Sequence, residues 1–325
     1  MQTTPELPSF YVLDGQGGAR EVPAPELDRI ATIGEPLWVH LDRNDPNTRT
    51  WLEHQGDIDP VIVDALVAEE TRPRCIRHRE GLLVMLRGVN LNPGADPEDM
   101  IAIRMWVTER RMISVRLRTL LSVQDVHHSL AEGRGPRDIA DLLVLMADRL
   151  VLRMDPVLDE METGVDRVEE VLEHATDSHM RTELAELRRQ AIMLRRYLAP
   201  QREVMMRLQN EPIGWFNETH RVQLREIGDR VTRYVEALEE VRERALVTHE
   251  DISGRLAEQM NRTMYTLALV ATVFLPLGLI TGLLGINVAG IPGAENPDAF
   301  LIVCGLLVGL ATLQMVYFSW RHWFK

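Results

Sequence analysis

TMYTLALVATVFLPLGLITGLLGIN, residues 263–287, is an uncharged stretch that begins after Arg262 and is followed by no further charge until Glu295. Its length and its content of Leu, Val, Ile and Phe predict a membrane-spanning helix, because about 20 apolar residues cross the hydrocarbon core of a bilayer. A second uncharged run, residues 299–320, is also long enough to cross, and the short loop 288–298 joins the two. The sequence therefore predicts two transmembrane helices at the C-terminal end of a large charged domain.

The first predicted span ends in Gly285, Ile286 and Asn287. An amide side chain at this position is costly unless it faces protein or water. One face of the preceding helix carries mainly small or apolar residues at alternating steps of three and four. Such a face is suited either to tight helix packing or to lining a narrow pore, and the residues alone leave both interpretations open. The face consists of Asn261, Met264, Ala268, Ala271, Leu275, Gly278 and Gly282, called the small-residue row below.

The order of these features resembles the CorA superfamily of divalent-cation transporters. Members of that superfamily have a long charged helix, an uncharged span ending in Gly-x-Asn, a short loop, a second span and a basic tail. Most of its magnesium channels have Gly-Met-Asn at the end of the first span. The Gly-Ile-Asn of residues 285–287, followed by VAGIPG in residues 288–293, is more similar to the zinc-transporting ZntB branch.

The resemblance implies a homopentamer with a central pore, in which the small-residue row lines the path and Gly285, Ile286 and Asn287 form the selectivity filter. It also implies that Asn287 amide oxygens accept hydrogen bonds from the waters of a hydrated ion, and the similarity to the ZntB branch indicates Zn²⁺ as that ion. Residues 263–287 and 299–320 contain no Asp, Glu or His, so nothing there replaces the first water shell of a dication. A Mg²⁺, Co²⁺ or Ni²⁺ channel of the same superfamily and a non-conducting, membrane-anchored oligomeric sensor or scaffold are the alternatives.

Composition narrows the remaining function classes. The chain has 325 residues and a net charge of −13, which disfavours nucleic acid as a partner and favours soluble cations. Cys75 and Cys304 are its two cysteines, and so distant a pair predicts neither a disulfide framework nor a cysteine zinc site. No signal peptide is evident at the N-terminus. No P-loop, Gly-x-Ser-x-Gly, His-Glu-x-x-His or Rossmann fingerprint is present, so we assign no catalytic residues and expect no tightly bound cofactor.

Residues 1–135 are predicted to form an α+β cytoplasmic subdomain, a sheet flanked by helices. Residues 44–70 are expected to be mainly helical, with Asp59 and Pro60 opening one helix. Runs rich in β-branched and aromatic residues, separated by turn residues, predict the strands. These runs are Phe10–Leu13, Pro36–Leu41, Arg74–His78, Gly81–Leu91, Met100–Val107 and Met112–Arg116.

Few residues of this subdomain are candidate metal ligands. His40 lies close to Asp42, and both residue types bind metals, but the favoured interpretation is an ordinary pair at a strand edge. His127 and His128 are likewise interpreted as residues of a helix surface. We therefore assign no metal site from the sequence.

Residues 136–216 are predicted to form a helical hairpin. Apolar residues at helical spacing follow Pro136, and the first helix is expected to continue to Leu172. A polar turn at His174–His179 and a second helix over 182–208 complete the prediction. The first helix carries a run of acidic residues, interpreted mainly as a solvated face and alternatively as a collector of cations in an oligomer.

A very long stalk helix is predicted to begin at Asn217, a suitable N-cap, with residues 217–262 forming its cytoplasmic part. Its apolar residues alternate steps of three and four, as in a heptad seam. Such a helix must pack on copies of the chain or on its own domain. The seam consists of Leu224, Ile227, Val231, Tyr234, Leu238, Val241, Ala245, Thr248 and Ile252.

Flanking charges predict the orientation in a bacterial-type inner membrane. Arg255 and Arg262 precede the first span, and Arg321 and Lys325 follow the second in the tail 321–325. The loop has neither Lys nor Arg, so both termini are expected in the cytoplasm. Glu295 and Asp298 would then be acidic groups at the outer mouth of an oligomeric pore. The acidic segment His249, Glu250 and Asp251 is a candidate inner vestibule. The expected partners are further copies of the chain, membrane lipid and divalent cations.

Overall fold

The computed structural model describes residues 8–54, 58–69, 71–172, 178–286, 293 and 296–320. The chain divides into two compact units, Met1–Glu250 and Asp251–Lys325, and one long helix contributes to both. The strands are β1 (Ser9–Leu13), β2 (Ala19–Glu21), β3 (Leu37–Asp42), β4 (Arg74–His78), β5 (Gly81–Gly88), β6 (Ile101–Val107) and β7 (Arg111–Arg116). The helices are α1 (Leu27–Ile33), α2 (Asn47–His54), α3 (Pro60–Val67), α4 (Leu121–Ala131), α5 (Ile139–Leu152), α6 (Asp155–Leu172), α7 (Ser178–Asn210), α8 (Glu218–Gly285) and α9 (Ala299–Trp320).

The strands form one sheet of order β2-β1-β3-β7-β6-β5-β4. β3 and β7 pair in parallel at its centre, and every other neighbouring pair is antiparallel. All six strands predicted from the sequence are present, while the short β2 was not predicted. The sheet flanked by helices, followed by a long helix and a C-terminal apolar helix, confirms the predicted fold class.

Alternation along the strands sends side chains to two different helical layers. Leu37, Val39 and Leu41 of β3 join an apolar cluster with residues of α1, α2 and α3. Trp38 and His40 point to the opposite face, where Trp38 stacks on His127 of α4. The sheet is therefore buried on both sides, which explains why its central strands read as continuous apolar runs rather than as strict alternation.

Local capping explains where several helices begin. Asp59 accepts a hydrogen bond from the backbone N–H of Val61 at 3.1 Å, and Pro60 occupies the first turn of α3. Asn217 caps α8, because its Oδ1 accepts from the backbone N–H of His220 at 2.9 Å. Both helix starts were predicted from these residues.

The predicted single helix over residues 136–172 is wrong. The chain breaks after Leu152 and restarts at Asp155, so residues 136–210 form three helices rather than two. Pro156 explains the break, because proline lacks the N–H that an uninterrupted helix would need and fits the first turn of a new one. Ser178 and His179 belong to α7 rather than to the predicted turn, and the rest of that turn, residues 174–177, lies outside the described residues.

The heptad seam of α8 packs inside its own chain. Its eight residues from Leu224 to Thr248 are all buried, with exposures of 7% or less. Polar contacts to α5, α6 and α7 flank it: Arg230 binds Asp148 at 2.8 Å, Tyr234 binds Asp155, and Arg195 binds Glu239. Of the two partners that the sequence allowed for this seam, the chain's own helices are therefore the ones that fill it in the unit Met1–Glu250.

Candidate functional site

The small-residue row lies along the open surface of α8. Asn261 and every other member of the row are exposed in the single chain. A Cβ added at Gly278 or Gly282 would meet no other atom of the described chain within 4 Å. The row is therefore available for contact with a neighbouring copy or with the contents of a pore.

Two helices of the described chain are long and apolar enough to cross a membrane, α8 in its C-terminal part and α9. Their apolar windows are not buried in the chain. Hydroxyl groups inside the first span donate to their own helix: Thr272 Oγ1 to the carbonyl of Ala268 at 2.7 Å, and Thr281 Oγ1 to that of Leu277 at 3.0 Å. These two hydroxyl groups are thus satisfied without outside partners, as an apolar surrounding requires.

The predicted selectivity filter coincides with the end of α8. Gly285 is the last helical residue and Ile286 follows as an exposed bend. Asn287 and Glu295 lie outside the described residues. Asp298 is exposed at the start of α9, where its backbone N–H donates to Asn296 Oδ1 at 3.0 Å and its carbonyl accepts from Ile302.

The candidate vestibule residues occupy successive positions of α8. Glu250 and Asp251 are exposed, and His249 is half-buried. Successive residues of a helix point about 100° apart, so these three side chains diverge. They do not form a cluster of metal-ligating atoms in the described part of the chain.

The acidic run on α6 is mostly a solvated face, as favoured from the sequence. Asp159, Glu160, Glu162 and Glu170 are exposed. Two further carboxylates of the run, Asp166 and Glu169, instead bind Arg244 of α8, each with an oxygen 2.5 Å from Arg244 Nη2. This part of the run therefore joins α6 to α8.

The two histidine interpretations from the sequence need correction. His40 is 1% exposed and its Nδ1 lies 2.7 Å from Ser114 Oγ, so it is a core residue and not part of a strand-edge pair with Asp42. His127 is not on the helix surface, because it stacks on Trp38 with ring centroids 4.6 Å apart. His128 is exposed, as predicted. Neither His40 nor His127 belongs to a group of three or more metal-ligating side chains among the described residues.

Burial keeps both core histidines neutral. It lowers the pKa of His40 well below its usual range, and the positive charge of Arg116 adds to the effect. Burial and Arg116 also lower the pKa of His127 to about 4. The surrounding rings come from β1, β3 and α4, which lie far apart in the sequence, so no local pattern predicted this environment.

One group that sequence reasoning missed combines Asp138, Asp141 and His220. Their ligand atoms lie within 4.8 Å of one another, where the N-terminal ends of α5 and α8 meet. His220 Nε2 lies 2.9 Å from Asp141 Oδ1, and Asp138 Oδ1 accepts from the backbone N–H of Asp141 at 2.8 Å. His220 Nδ1 accepts from the backbone N–H of Asn217, in the manner of a capping box. Helix capping and one His–Asp hydrogen bond thus account for the group.

The sequence matches the family model described as "CorA-like Mg2+ transporter protein" over residues 34–321. It is 42% identical to the divalent cation transporter CmaX of Pseudomonas aeruginosa over 319 residues, which are 96% of this chain and 95% of that protein. It is 36% identical to the zinc transport protein ZntB of Yersinia enterocolitica over 301 residues, or 92% and 90% of the two chains.

Solved structures agree with the sequence matches. The full-length CmaX protein superposes with a TM-score of 0.84 at 40% identity, with complete coverage of both chains. The CorA magnesium transporter of Methanocaldococcus jannaschii superposes with a TM-score of 0.82 over 98% of each chain, and at 14% identity it shows the shared fold alone. The family model and the relatives in sequence each match most of the chain, and the solved structures share its fold. This protein therefore belongs to the CorA-like family of divalent-cation transporters, whose members are transporters and not enzymes.

Proposed function

We propose that the chain is a subunit of an oligomeric transport path for divalent metal ions in the bacterial inner membrane. The observation that carries the proposal is the open small-residue row on α8, which leads towards Gly-Ile-Asn in a chain 42% identical to a divalent cation transporter. The charges that flank the two spans favour cytoplasmic termini and an outer loop.

The proposed mechanism keeps the ion hydrated. The two spans contain no carboxylate or imidazole, and a lone Cys304 cannot form a coordination shell. Removing the first water shell of a small dication is costly, so a path without ligands of this kind favours the hydrated ion. A ring of Asn287 amides would accept hydrogen bonds from the ion's waters and would hold the ion without a fixed charge.

Zinc is the proposed main cargo, on the similarity to ZntB proteins. The amide oxygen of Asn287 does not by itself select one metal, and the CmaX similarity extends to divalent cations in general. Mg²⁺, Co²⁺ and Ni²⁺ are therefore the competing cargoes. A non-conducting sensor or scaffold is the competing function.

The test is metal uptake by the purified protein in proteoliposomes. Zn²⁺, Mg²⁺, Co²⁺ and Ni²⁺ are supplied singly, with and without a pH gradient, and protein-free liposomes give the background. We expect uptake of Zn²⁺ well above the background. Uptake of another metal in preference to Zn²⁺ would overturn the choice of cargo, and no uptake of any metal by an assembled protein would favour the sensor. A dependence on the pH gradient would show proton coupling.

A further inference from the structure

We draw no further inference here: the strongest candidate, the row of exposed carboxylates that α8 carries on the side opposite to its buried seam (Glu226, Asp229, Glu236, Glu240 and Glu243), is an acidic surface for which no second feature of the described chain points to a ligand.

Discussion

His40 and His127 show how far single residues can be interpreted before the fold is known. Their ring centroids lie 6.3 Å apart, although they are distant in the sequence. The sequence gives their identity and their elements, but their burial depends on Trp38 and on Ser114 of β7, which only the sheet brings beside them. Asp59 and Asn217 were predictable because a helix cap acts within three residues of its own position.

Protonation of His127 should make the unit Met1–Glu250 sensitive to acid. Its pKa is about 4 in the folded chain and about 6.5 when unfolded. Above about pH 6.5 both states are neutral and this group has no effect. As the pH falls from 6.5 towards 4, His127 binds a proton in the unfolded state but stays neutral in the folded state. The free energy of unfolding therefore drops, by on the order of 3 kcal/mol in total.

His127→Phe should reduce this acid sensitivity, because Phe keeps the stacking on Trp38 and cannot be protonated. The measurement is the unfolding midpoint in urea across the same pH range, followed by Trp fluorescence. His128→Gln changes the exposed neighbour and should behave like the parent. Equal acid sensitivity of His127→Phe and the parent would show that other groups dominate.

Asn287 is the residue on which the proposed selectivity depends. An amide ring holds a hydrated dication without trapping it, whereas the other interpretation makes Asn287 a helix cap in the left-handed conformation. Gly285, which leaves room for close approach of neighbouring backbones, suits both interpretations. The alternatives differ for two substitutions, since a cap tolerates glycine with little loss.

We expect Asn287→Gly to lose metal discrimination and Asn287→Asp to bind the cation more strongly, with altered rate and metal preference. Transport of Zn²⁺, Co²⁺, Ni²⁺ and Mg²⁺ is compared in proteoliposomes, after each variant has been shown to assemble like the parent. An assembled Asn287→Gly that transports all four metals like the parent would identify Asn287 as a cap.

At the scale of elements, strands and helix starts could be predicted, whereas the partners of each element could not. Periodicity located the seam of α8 from Leu224 onwards. It did not say whether other helices of the same chain or further copies would fill the seam, because both present the same apolar surface. The break between α5 and α6 was predictable from Pro156, but the predicted helix rested on the spacing of its apolar residues alone.

The contact between α6 and α8 should depend on the charge of Glu169. This carboxylate binds Arg244 Nη2 at 2.5 Å and accepts from Thr248 Oγ1 at 3.2 Å. Both members of the ion pair are about one third exposed, so Glu169→Gln should lower the free energy of unfolding by about 1 kcal/mol or less. The effect should shrink at high salt. Glu170→Gln, at the exposed adjacent residue, is the control in the same urea titrations, and an equal effect of both variants would contradict a specific contact.

The middle of α8 carries a separate electrostatic prediction. Glu250 and Asp251 are exposed and diverge, so they should attract cations by their potential and not by direct coordination. The double variant Glu250→Gln/Asp251→Asn should lower metal flux mainly at low ionic strength, because salt screens exposed charges. Flux in proteoliposomes over a series of salt concentrations is the measurement. A rate equal to that of the parent at every ionic strength would leave these residues as a plain solvated surface.

At the scale of the whole molecule, the position of a short motif identified the family better than its amino acids did. Gly-x-Asn alone is too common to identify a family, but its place between a long charged helix and a second span indicated the CorA superfamily. The family-model match over residues 34–321 confirms that inference. Metal preference was not predictable in the same way, because the spans contain no side chain whose chemistry distinguishes one dication from another.

The last prediction is that five copies assemble around one axis. The heptad seam no longer supports it, since the seam residues from Leu224 to Thr248 are already buried by their own chain. What supports it is the membrane part: two spans cannot enclose a pore, and the small-residue row of α8 is exposed in the single chain. Small residues let helices approach closely in a membrane. Without such a neighbouring helix, the exposed glycines of the row would not stabilise the protein. We therefore expect a pentamer by native mass spectrometry or light scattering in mild detergent.

Gly282→Leu, which adds bulk to the row, should reduce the pentamer fraction, whereas Leu301→Ala on the exposed surface of α9 should not. A monomer or dimer as the sole species of the parent protein would rule out the pentameric pore.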